Sequence, residues 1–322
     1  MKKGMVKLLN YVLRSAGITC ITTRDGNKAC REKQLLLKLA NLPCNPSSVE
    51  CEDYASCIVF SRDRACQLHA LLSSLRDHVE EGLELYVIYR ATNDRHKKAY
   101  EEVIELFNGR HIEWRAEDNF RSDLLTVMGG IATRSVFFLV DDIVFIRPVS
   151  LKALSVFNLR EYVPSLRLGE HVNYCYTEQQ PMKVPELVEA DAGNAHLVSW
   201  EWLQGDYDWG YPLSVDGHVF LTDEIRLLLE NVEFTAPNSL EKAMQVLREL
   251  YRMRSGICYR ESRIVNIPMN RVQTENDNLY GEVSVEELLE RWEAGYRIDV
   301  DKLYNVKPES AHQELPVSFV LR

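Results

Sequence analysis

The chain has 322 residues, of which 46% are hydrophobic and 27% are charged, and its formal net charge is −10. This length allows one large α/β domain or two smaller ones, and the acidic balance argues against a nucleic-acid partner, since general nucleic-acid binders carry a basic excess. No apolar run approaches the roughly 20 residues of a transmembrane helix, and the first residues do not resemble an export signal. The eight cysteines never form Cys-x-x-Cys, which argues against a zinc ribbon. We therefore expect a cytoplasmic protein with reduced thiols.

The first 50 residues differ in charge from the rest of the chain. They hold nine Lys and Arg residues against three Asp and Glu residues, a net charge of +6, so the remainder sums to −16. Apolar residues recur at helical spacing from Met5 to Leu13 and predict a basic amphipathic helix over residues 2–14. This helix would either dock on the anionic cytoplasmic face of a membrane or pack on the body or a partner subunit of a homo-oligomer. A Pro-, Asn- and Ser-rich linker at 41–53 would complete an N-terminal extension over residues 1–54.

The main body begins with alternating strand and helix patterns. Apolar, β-branched runs predict four strands, at residues 56–60, 83–89, 111–114 and 136–140. Helical patterns follow the first three strands, at residues 68–79, 99–107 and 121–131. This alternation predicts parallel strands joined by crossover helices. Polar clusters at 61–64, 90–94 and 141–142 follow three of the strands, so one crevice at the carboxyl edge of the sheet could gather them.

The most informative stretch is the run Ser135-Val-Phe-Phe-Leu-Val-Asp-Asp-Ile-Val-Phe145, in which Asp141 and Asp142 interrupt apolar residues. Ionised carboxylates are costly to bury without partners. We therefore expect the pair at the exposed end of a strand, facing a cation that carries phosphates. The alternative is an acidic turn that caps the strand.

The second half is less regular. Residues 162–168 and 172–177 predict strands of a partly antiparallel region, and a dense aromatic stretch covers 200–211. Helices are predicted at 223–231 and 239–253, the second with a capping box of Asn238 and Glu241. A second box, Ser284 with Glu287, precedes a last helix that ends near Gly295.

Residues 55–275 resemble the nucleotide-sugar-dependent glycosyltransferases of the GT-A fold, particularly family-2-like bacterial members. The resemblance rests on the strand end Val-Phe-Ser-Arg-Asp-Arg64, the acidic motif Phe-Leu-Val-Asp-Asp-Ile-Val-Phe145, the segment Asp-Trp-Gly-Tyr-Pro-Leu-Ser-Val-Asp-Gly-His218 and the segment Asn-Ile-Pro-Met-Asn-Arg-Val-Gln273. It implies an α/β, Rossmann-like mixed central sheet flanked by helices, with the N-terminal helical extension before it. Residues 55–150 would bind the nucleotide sugar, residues 151–275 would bind the acceptor, and residues 276–322 would form a C-terminal helix and tail.

The resemblance also implies a reaction and a metal. A Mn²⁺ or Mg²⁺ ion would bridge the diphosphate of the donor, which in this fold is most commonly UDP-linked, and the acceptor would be a glycan, a lipid-linked molecule or a small molecule. The motif departs from Asp-x-Asp, so Asp142 is the expected metal ligand and Asp141 the contact to ribose or a metal-bound water. His218 is a candidate second ligand. Asp216, before Gly217, is the expected base of an inverting transfer.

Further residues are assigned to the donor site by position. Arginines suit phosphate recognition because their fork of donors matches phosphate oxygens, and an aromatic ring can stack on a sugar. The expected nucleotide-sugar contacts are Arg62, Asp63, Arg64, Arg90, Asp118, Arg121, Asp141, Trp209 and Arg271.

Simpler interpretations stay open at this stage. Asp216 could merely form an Asp-Gly turn, His218 could be structural, and the aromatic stretch could be core. The chain could be a catalytically inactive glycan-binding or scaffold relative. A nucleotidyltransferase is a third alternative, although such enzymes usually open with a glycine-rich loop and residues 56–66 contain no glycine.

Overall fold

The computed structural model describes residues 33–42, 54–79, 82–109, 111–190, 196–270 and 283–322. The chain divides into two compact units, Met1–Cys44 and Asn45–Arg322. In the first unit, residues 33–40 form a helix. The predicted helix at 2–14, most of the predicted linker and Arg271 lie outside the described residues, and the domain boundaries proposed above stay predictions.

The second unit is built on a five-stranded sheet in the order β11-β4-β1-β2-β3. Its strands are β1 (Ala55–Arg62), β2 (Leu83–Arg90), β3 (Ile112–Ala116), β4 (Ser135–Val140) and β11 (Val219–Leu221). The first four are parallel, and β11 runs antiparallel to β4. The crossover helices are α1 (Ala65–His78), α2 (Asp94–Leu106) and α3 (Phe120–Gly130). The predicted strands and helices of this half are confirmed.

Burial explains why β1 and β4 have nearly continuous apolar sequences. Both strands are interior to the sheet and buried almost throughout, because helices cover a parallel sheet on its faces. The helices have clear start points, as Asn93 and Asn119 cap α2 and α3 by accepting from backbone N–H groups. The register of β1 and β4 pairs Phe60 with Val140. The residues that follow these two strands therefore emerge side by side at the carboxyl edge.

A second sheet, in the order β6-β12-β10-β9, covers the other half. Its strands are β6 (Tyr162–Ser165), β9 (Val188–Ala190), β10 (Leu197–Glu201) and β12 (Ser255–Tyr259). Strand β10, which was not predicted, is antiparallel to both of its neighbours, whereas the predicted strand β6 pairs parallel with β12. The strand expected at 172–177 is only β7 (Tyr174–Cys175), which pairs with β8 (Gln180–Pro181).

The remaining helices of this unit are α4 (Leu151–Ser155), α5 (Thr222–Asn231), α6 (Pro237–Met244), α7 (Arg248–Arg252) and α8 (Val285–Glu293). The single helix expected at 239–253 is interrupted by a 3₁₀ turn at Gln245–Leu247. The capping box of Asn238 and Glu241 was wrong. The helix starts at Pro237, Ser239 accepts from Ala236 N at 2.9 Å, and the Glu241 carboxylate is used elsewhere.

The C-terminal residues join the body through a short ribbon. Strands β5 (Ile143–Phe145) and β13 (Ile264–Asn266) pair antiparallel, with Asn266 opposite Ile143. Asn266 also exchanges backbone hydrogen bonds with the tail, since its N donates to Ala311 O at 3.0 Å and its O accepts from Gln313 N at 2.9 Å. One strand thus connects the residue after Asp142 with the chain around residue 312.

The last helix follows its predicted signals. Ser284 caps α8 by accepting from Glu287 N at 3.0 Å, and Gly295 follows the helix with a φ of +85°. Strands β14 (Tyr296–Ile298) and β15 (Phe319–Leu321) form a final pair. The predicted α/β fold, a mixed central sheet flanked by helices, is confirmed. Across the ranges that the structure describes, none of the helices combines the length and the hydrophobicity needed to span a bilayer.

Candidate functional site

A cleft of about 490 Å³ opens at the carboxyl ends of β1, β2 and β4. From the first half it is lined by Phe60, Ser61, Arg62, Arg64, Ile88, Arg90, Glu117, Phe120, Val140, Asp141 and Asp142. From the second half it is lined by Tyr176, Thr177, Tyr211, Val215, Asp216, Thr235, Ala236, Pro237, Asn238, Glu241, Lys242, Gln245, Asn266, Pro268, Asn270 and His312. The crevice expected at this edge of the sheet therefore exists, and the second half closes it.

Asp141 connects the ends of β1 and β4. Its Oδ2 accepts from Ser61 Oγ at 2.8 Å and from Arg62 N at 3.1 Å, and its Oδ1 accepts from Arg64 Nη1 at 2.9 Å. The side chain is only 4% exposed. Buried carboxylates are tolerated when they are fully hydrogen-bonded in this way. Asp141 therefore shapes the loop after β1.

Asp142 is less completely paired. Its Oδ2 accepts from Arg64 Nη1 at 3.1 Å, whereas its buried Oδ1 accepts no hydrogen bond from any residue that the structure describes. Burial raises the pKa of Asp142 to about 6, because Arg64 offsets only part of the desolvation and both Asp141 and Asp216 repel the charge. An orphaned buried carboxylate oxygen on a cleft suits a divalent cation, which can bind through one carboxylate together with phosphates and waters.

Arg64 has a role within the protein besides the phosphate contact expected of it. Its Nη1 bridges the two aspartates, its Nε donates to Asn270 Oδ1 at 2.8 Å, and its Nη2 donates to Asn270 O. Four of its five N–H groups thus meet protein acceptors, and the side chain is buried. Arg64 lines the cleft, but protein acceptors take up most of its guanidinium donors, and its contact with the donor phosphates stays a prediction.

The two exposed arginines of this edge remain available to a ligand. Arg62 and Arg90 are the last residues of β1 and β2, line the cleft, and are 48% and 49% exposed. Arg90 also lies 3.2 Å from Glu117, which follows β3 and lines the same end. Asp63 does not line the cleft. With a φ of 55° it turns back so that Oδ1 accepts from Thr92 N at 2.8 Å, which joins the loops after β1 and β2.

Asp118 and Arg121 lie outside the cleft lining. Arg121 donates from Nε to Val232 O at 3.1 Å and from Nη2 to Leu229 O at 3.3 Å. It therefore binds carbonyls at the C-terminal end of α5, where a cation is favourable. Asp118 is exposed and contributes its backbone N to Asp123 Oδ2 at 2.9 Å.

Trp209 and His218 belong to the core and not to the cleft surface. Trp209 is fully buried and donates from Nε1 to Val172 O at 2.9 Å. His218 is also fully buried, with Nδ1 at 2.9 Å from Pro212 O, and burial together with the nearby Arg167 lowers its pKa to about 3. The structure does not bring His218 and Asp142 into one ligand set. In the described part of the chain, no group of three or more His, Cys, Asp and Glu side chains is arranged around a metal position.

Asp216 does line the cleft, and it is paired. His312 Nε2 lies 3.0 Å from Asp216 Oδ2, and Arg167 Nη1 lies 3.5 Å from the same oxygen. Burial works to raise the pKa of Asp216, but the hydrogen bond from His312 and the charges of His312 and Arg167 outweigh it, so the pKa is lowered. The same hydrogen bond outweighs the opposite effect of burial on His312 and raises its pKa.

The turn that carries Asp216 is fixed from several sides. Arg167 Nη1 donates to Ser214 Oγ at 2.9 Å, and Glu241 accepts from Val215 N at 3.0 Å. Gly217 has a φ of +75°, and a Cβ there would lie 2.4 Å from Ile264 Cδ1. The positive φ therefore favours glycine, and an added Cβ would also force the end of the Ile264 side chain to move.

Three functional residues were missed from the sequence: His312, Arg167 and Asn270. His312 lies in the segment predicted to be a tail, and nothing in its local sequence indicates that the chain returns to the cleft. Asn270 belongs to the Asn-Ile-Pro-Met-Asn segment that carries part of the family resemblance, and it directly precedes Arg271, the residue predicted from that segment.

Comparison with known proteins gives one sequence relative. The bifunctional glycosyltransferase pgtA of Dictyostelium discoideum is 25% identical over an alignment of 200 residues that covers 54% of this chain. The chain is similar to a glycosyltransferase. It spans about a quarter of that relative's length, as the match covers 25% of it. No protein-family model matches the chain.

Solved structures give distant likenesses. Residues 1–349 of S. aureus TarS match with a TM-score of 0.41 and 13% identity, over 65% of this chain and 59% of that one. A nucleotidyl transferase from Methanothermobacter thermautotroptrophicus matches with a TM-score of 0.34 and 12% identity, over 64% of this chain and 86% of that one.

Proposed function

We propose that the chain transfers a sugar from a nucleoside-diphosphate sugar to a hydroxyl acceptor in this cleft, with the help of Mn²⁺ or Mg²⁺. The observation that carries the proposal is the pairing of two sites in one cleft. Asp142 offers an unpartnered buried carboxylate oxygen, and Asp216 offers a carboxylate held by a histidine. The sequence similarity to a glycosyltransferase supports the same reaction class.

The donor would occupy the half of the cleft formed by the strand ends. Arg62 and Arg90 are exposed cations there and would contact the diphosphate, while Phe60, Ile88 and Phe120 offer apolar surface. Asp142 would hold the metal through its free oxygen. When bound, the metal supplies positive charge that stabilises the departing nucleoside diphosphate.

The acceptor would enter from the other side, against Asp216. In an inverting transfer, the acceptor oxygen forms a bond to the anomeric carbon as the bond from that carbon to the phosphate oxygen breaks. The acceptor proton passes to the Asp216 carboxylate. The lowered pKa keeps this carboxylate ionised at neutral pH, and the bond to His312 fixes its orientation. Because Oδ2 is taken by His312 and Arg167, Oδ1 is the oxygen that would receive the proton.

The acceptor class follows less directly. Tyr176, Tyr211, Asn238, Lys242 and Gln245 line the acceptor side and mix aromatic with polar groups, which suits a glycan, a lipid-linked glycan or a small hydroxylated molecule. The basic segment 2–14 would bring the protein to the cytoplasmic face of an anionic membrane. Liposome binding that is lost when this segment is deleted would support a lipid-linked acceptor.

A thermal-shift panel tests the donor half directly. UDP-, GDP-, ADP- and CDP-sugars are each added with and without Mn²⁺, because a ligand that binds only the folded state raises stability with ln(1 + [L]/Kd). At least one donor should stabilise the wild-type protein only when Mn²⁺ is present, and Asp142→Asn should abolish this effect. Asp118→Asn, an exposed carboxylate outside the cleft, is the matched control.

The same thermal-shift measurement, extended to glycans, UTP and GTP, separates the alternatives. An inactive glycan-binding relative would show metal-independent binding of glycans and no response to nucleotide sugars. A nucleotidyltransferase would respond to UTP or GTP more strongly than to any nucleotide sugar. Either pattern would contradict the proposal.

A further inference from the structure

The acidic pair in this cleft already has a cation of its own. Arg64 Nη1 lies 2.9 Å from Asp141 Oδ1 and 3.1 Å from Asp142 Oδ2, so one nitrogen serves both carboxylates. The three side chains are nearly buried, with exposures of 8%, 4% and 12%. In such a poorly hydrated place each charge acts strongly on its neighbours.

The guanidinium is held from behind. Asn270 accepts from Nε at 2.8 Å through its side chain and from Nη2 through its backbone carbonyl, and its own Nδ2 donates to Val283 O at 3.2 Å. Arg64 also lies two residues after the end of β1, and its backbone N donates to Tyr100 Oη at 3.1 Å. The guanidinium is therefore fixed against the aspartates and is not a mobile surface cation.

Its charge changes what the pair offers to a metal. Two ionised aspartates alone would present two negative charges, but with Arg64 the cluster presents only one. A divalent ion bound at the free oxygen of Asp142 would lie on the same carboxylate as the guanidinium. The two cations would repel each other across a short distance in a medium that screens weakly.

We propose that Arg64 is a built-in counter-cation of the Asp141–Asp142 pair, which keeps the metal affinity of the free chain low so that the metal binds together with the diphosphate of the donor. The diphosphate supplies the negative charge that the protein site lacks. This inference rests on the proposed function, because it assigns a role at the same site.

The test must separate the charge of Arg64 from its orienting effect on Asp142. Removal of the side chain eliminates both the charge and the orienting contact. Loss of an orienting partner alone commonly weakens metal binding by about 10- to 100-fold. Arg64→Lys and Arg64→Met both lose the bridge and the Asn270 contacts, but only the second loses the charge. Mn²⁺ alone is titrated into each variant by isothermal calorimetry, and free Mn²⁺ is followed by electron paramagnetic resonance.

We expect Arg64→Met to bind Mn²⁺ at least about tenfold more tightly than Arg64→Lys, since a unit charge a few ångströms from the ion is worth more than one decade in affinity. The matched pair Arg62→Lys and Arg62→Met should differ much less, because the side chain of Arg62 is half exposed and does not contact the aspartates. Asp142→Asn should abolish the measured site. In the wild-type protein, UDP or GDP should bind more tightly when Mn²⁺ is present.

Equal Mn²⁺ affinity in the two Arg64 variants, or no Mn²⁺ binding in any of the proteins, would overturn the inference. If the Arg64 variants fail to fold, Asn270→Ala keeps the charge and the backbone carbonyl that accepts from Nη2, but it removes the side-chain oxygen that accepts from Nε and so loosens the guanidinium. It should bind Mn²⁺ more tightly than the wild-type protein, and an unchanged affinity would contradict the role of Arg64. Failure of the proposed function looks different: neither UDP nor GDP would bind, with or without Mn²⁺, whatever the Arg64 variants show.

Discussion

His312 Nε2 lies 3.0 Å from Asp216 Oδ2, although 96 positions separate the two residues in the chain. The contact exists because the tail around His312 pairs with Asn266, and Asn266 in turn pairs with Ile143, the residue after Asp142. One short ribbon therefore fixes the relative positions of two carboxylates, the one proposed to hold the metal and the one proposed as base. A tail that sequence reasoning sets apart from the body completes the site.

Loss of His312 should impair the base without unfolding the protein. His312→Leu removes the hydrogen bond that holds Asp216, so we expect turnover to fall by about 10- to 100-fold while donor binding is retained. The pKa of Asp216 should rise, because the contact that lowers it is gone, and the acid limb of the pH–kcat profile should move to higher pH. His111→Leu, at an exposed position outside the cleft, is the control. A drop in kcat with an unmoved pH profile would mean that His312 is only structural.

The Asp216–His312 pair should also make the stability of the protein depend on pH. The lowered pKa of Asp216 contributes stability above its unfolded value of about 4, and this is lost as pH falls through the folded value. The raised pKa of His312 contributes stability below its unfolded value of about 6.5, and this is lost as pH rises through the folded value. Both contributions are present between about pH 4 and 6.5. Melting temperatures of the wild-type protein and Asp216→Asn should differ most in this window, and a pH-independent difference would contradict the ion pair.

Asp142 should act on stability in the opposite sense. Its pKa is raised to about 6, so the folded state disfavours the ionised form and loses stability as pH rises above about 4. At pH 7.5, the free energy of unfolding of Asp142→Asn should therefore exceed that of the wild-type protein by about 1–3 kcal/mol. This gain should vanish near pH 4. Chemical denaturation at both pH values measures the difference. A variant that is less stable at pH 7.5 would show that Asp142 is not strained by its burial.

Arg62 and Arg121 were both predicted to contact the donor, but only Arg62 lines the cleft. Arg62→Ala should weaken nucleotide binding by about tenfold, because it removes an exposed cation at the diphosphate end of the cleft. Arg121→Ala should leave nucleotide affinity unchanged and lower stability by about 1 kcal/mol, since it only frees carbonyls at the end of α5. Calorimetric titration of both variants with the donor from the panel decides between them. Equal losses of nucleotide affinity in the two variants would indicate that Arg121 also contacts the nucleotide.

Gly217 offers a test of how the base is placed. Gly217→Ala introduces a side chain at a φ of +75° and 2.4 Å from Ile264 Cδ1, so we expect a loss of about 1–3 kcal/mol in stability and a larger loss in turnover than in donor binding. Gly295→Ala has a similar φ of +85° but nothing within 4 Å of its added Cβ. It should therefore report the backbone strain alone.

The sequence predicted the parallel half of the fold well, because apolar strands and amphipathic helices alternate there with clear polar breaks. It also located the acidic pair and Asp216, whose residue types suit their proposed chemistry. It did not indicate the hydrogen bonding that distinguishes Asp141 from Asp142. The difference lies in which oxygens accept hydrogen bonds, and this depends on Ser61, Arg62 and Arg64, about 80 residues earlier.

Three of the residues predicted to contact the donor have protein partners that the sequence did not indicate. Arg64, Arg121 and Trp209 each have a chemistry that suits a ligand, yet protein acceptors far along the chain take up their donors. Sequence spacing shows that a residue follows a strand, but it does not show which partner the fold brings to it. The same limit hid His312, whose partner is supplied by a long-range pairing.

The most direct measurement of the central claim is release of nucleoside diphosphate from the donor that the panel identifies, with Mn²⁺ present and an acceptor mixture or water as the second substrate. We predict turnover by the wild-type protein that Asp142→Asn and Asp216→Asn each reduce at least about a hundredfold, while Asp118→Asn retains it. Turnover unaffected by both cleft substitutions would contradict the assignment of this cleft as a glycosyl-transfer site.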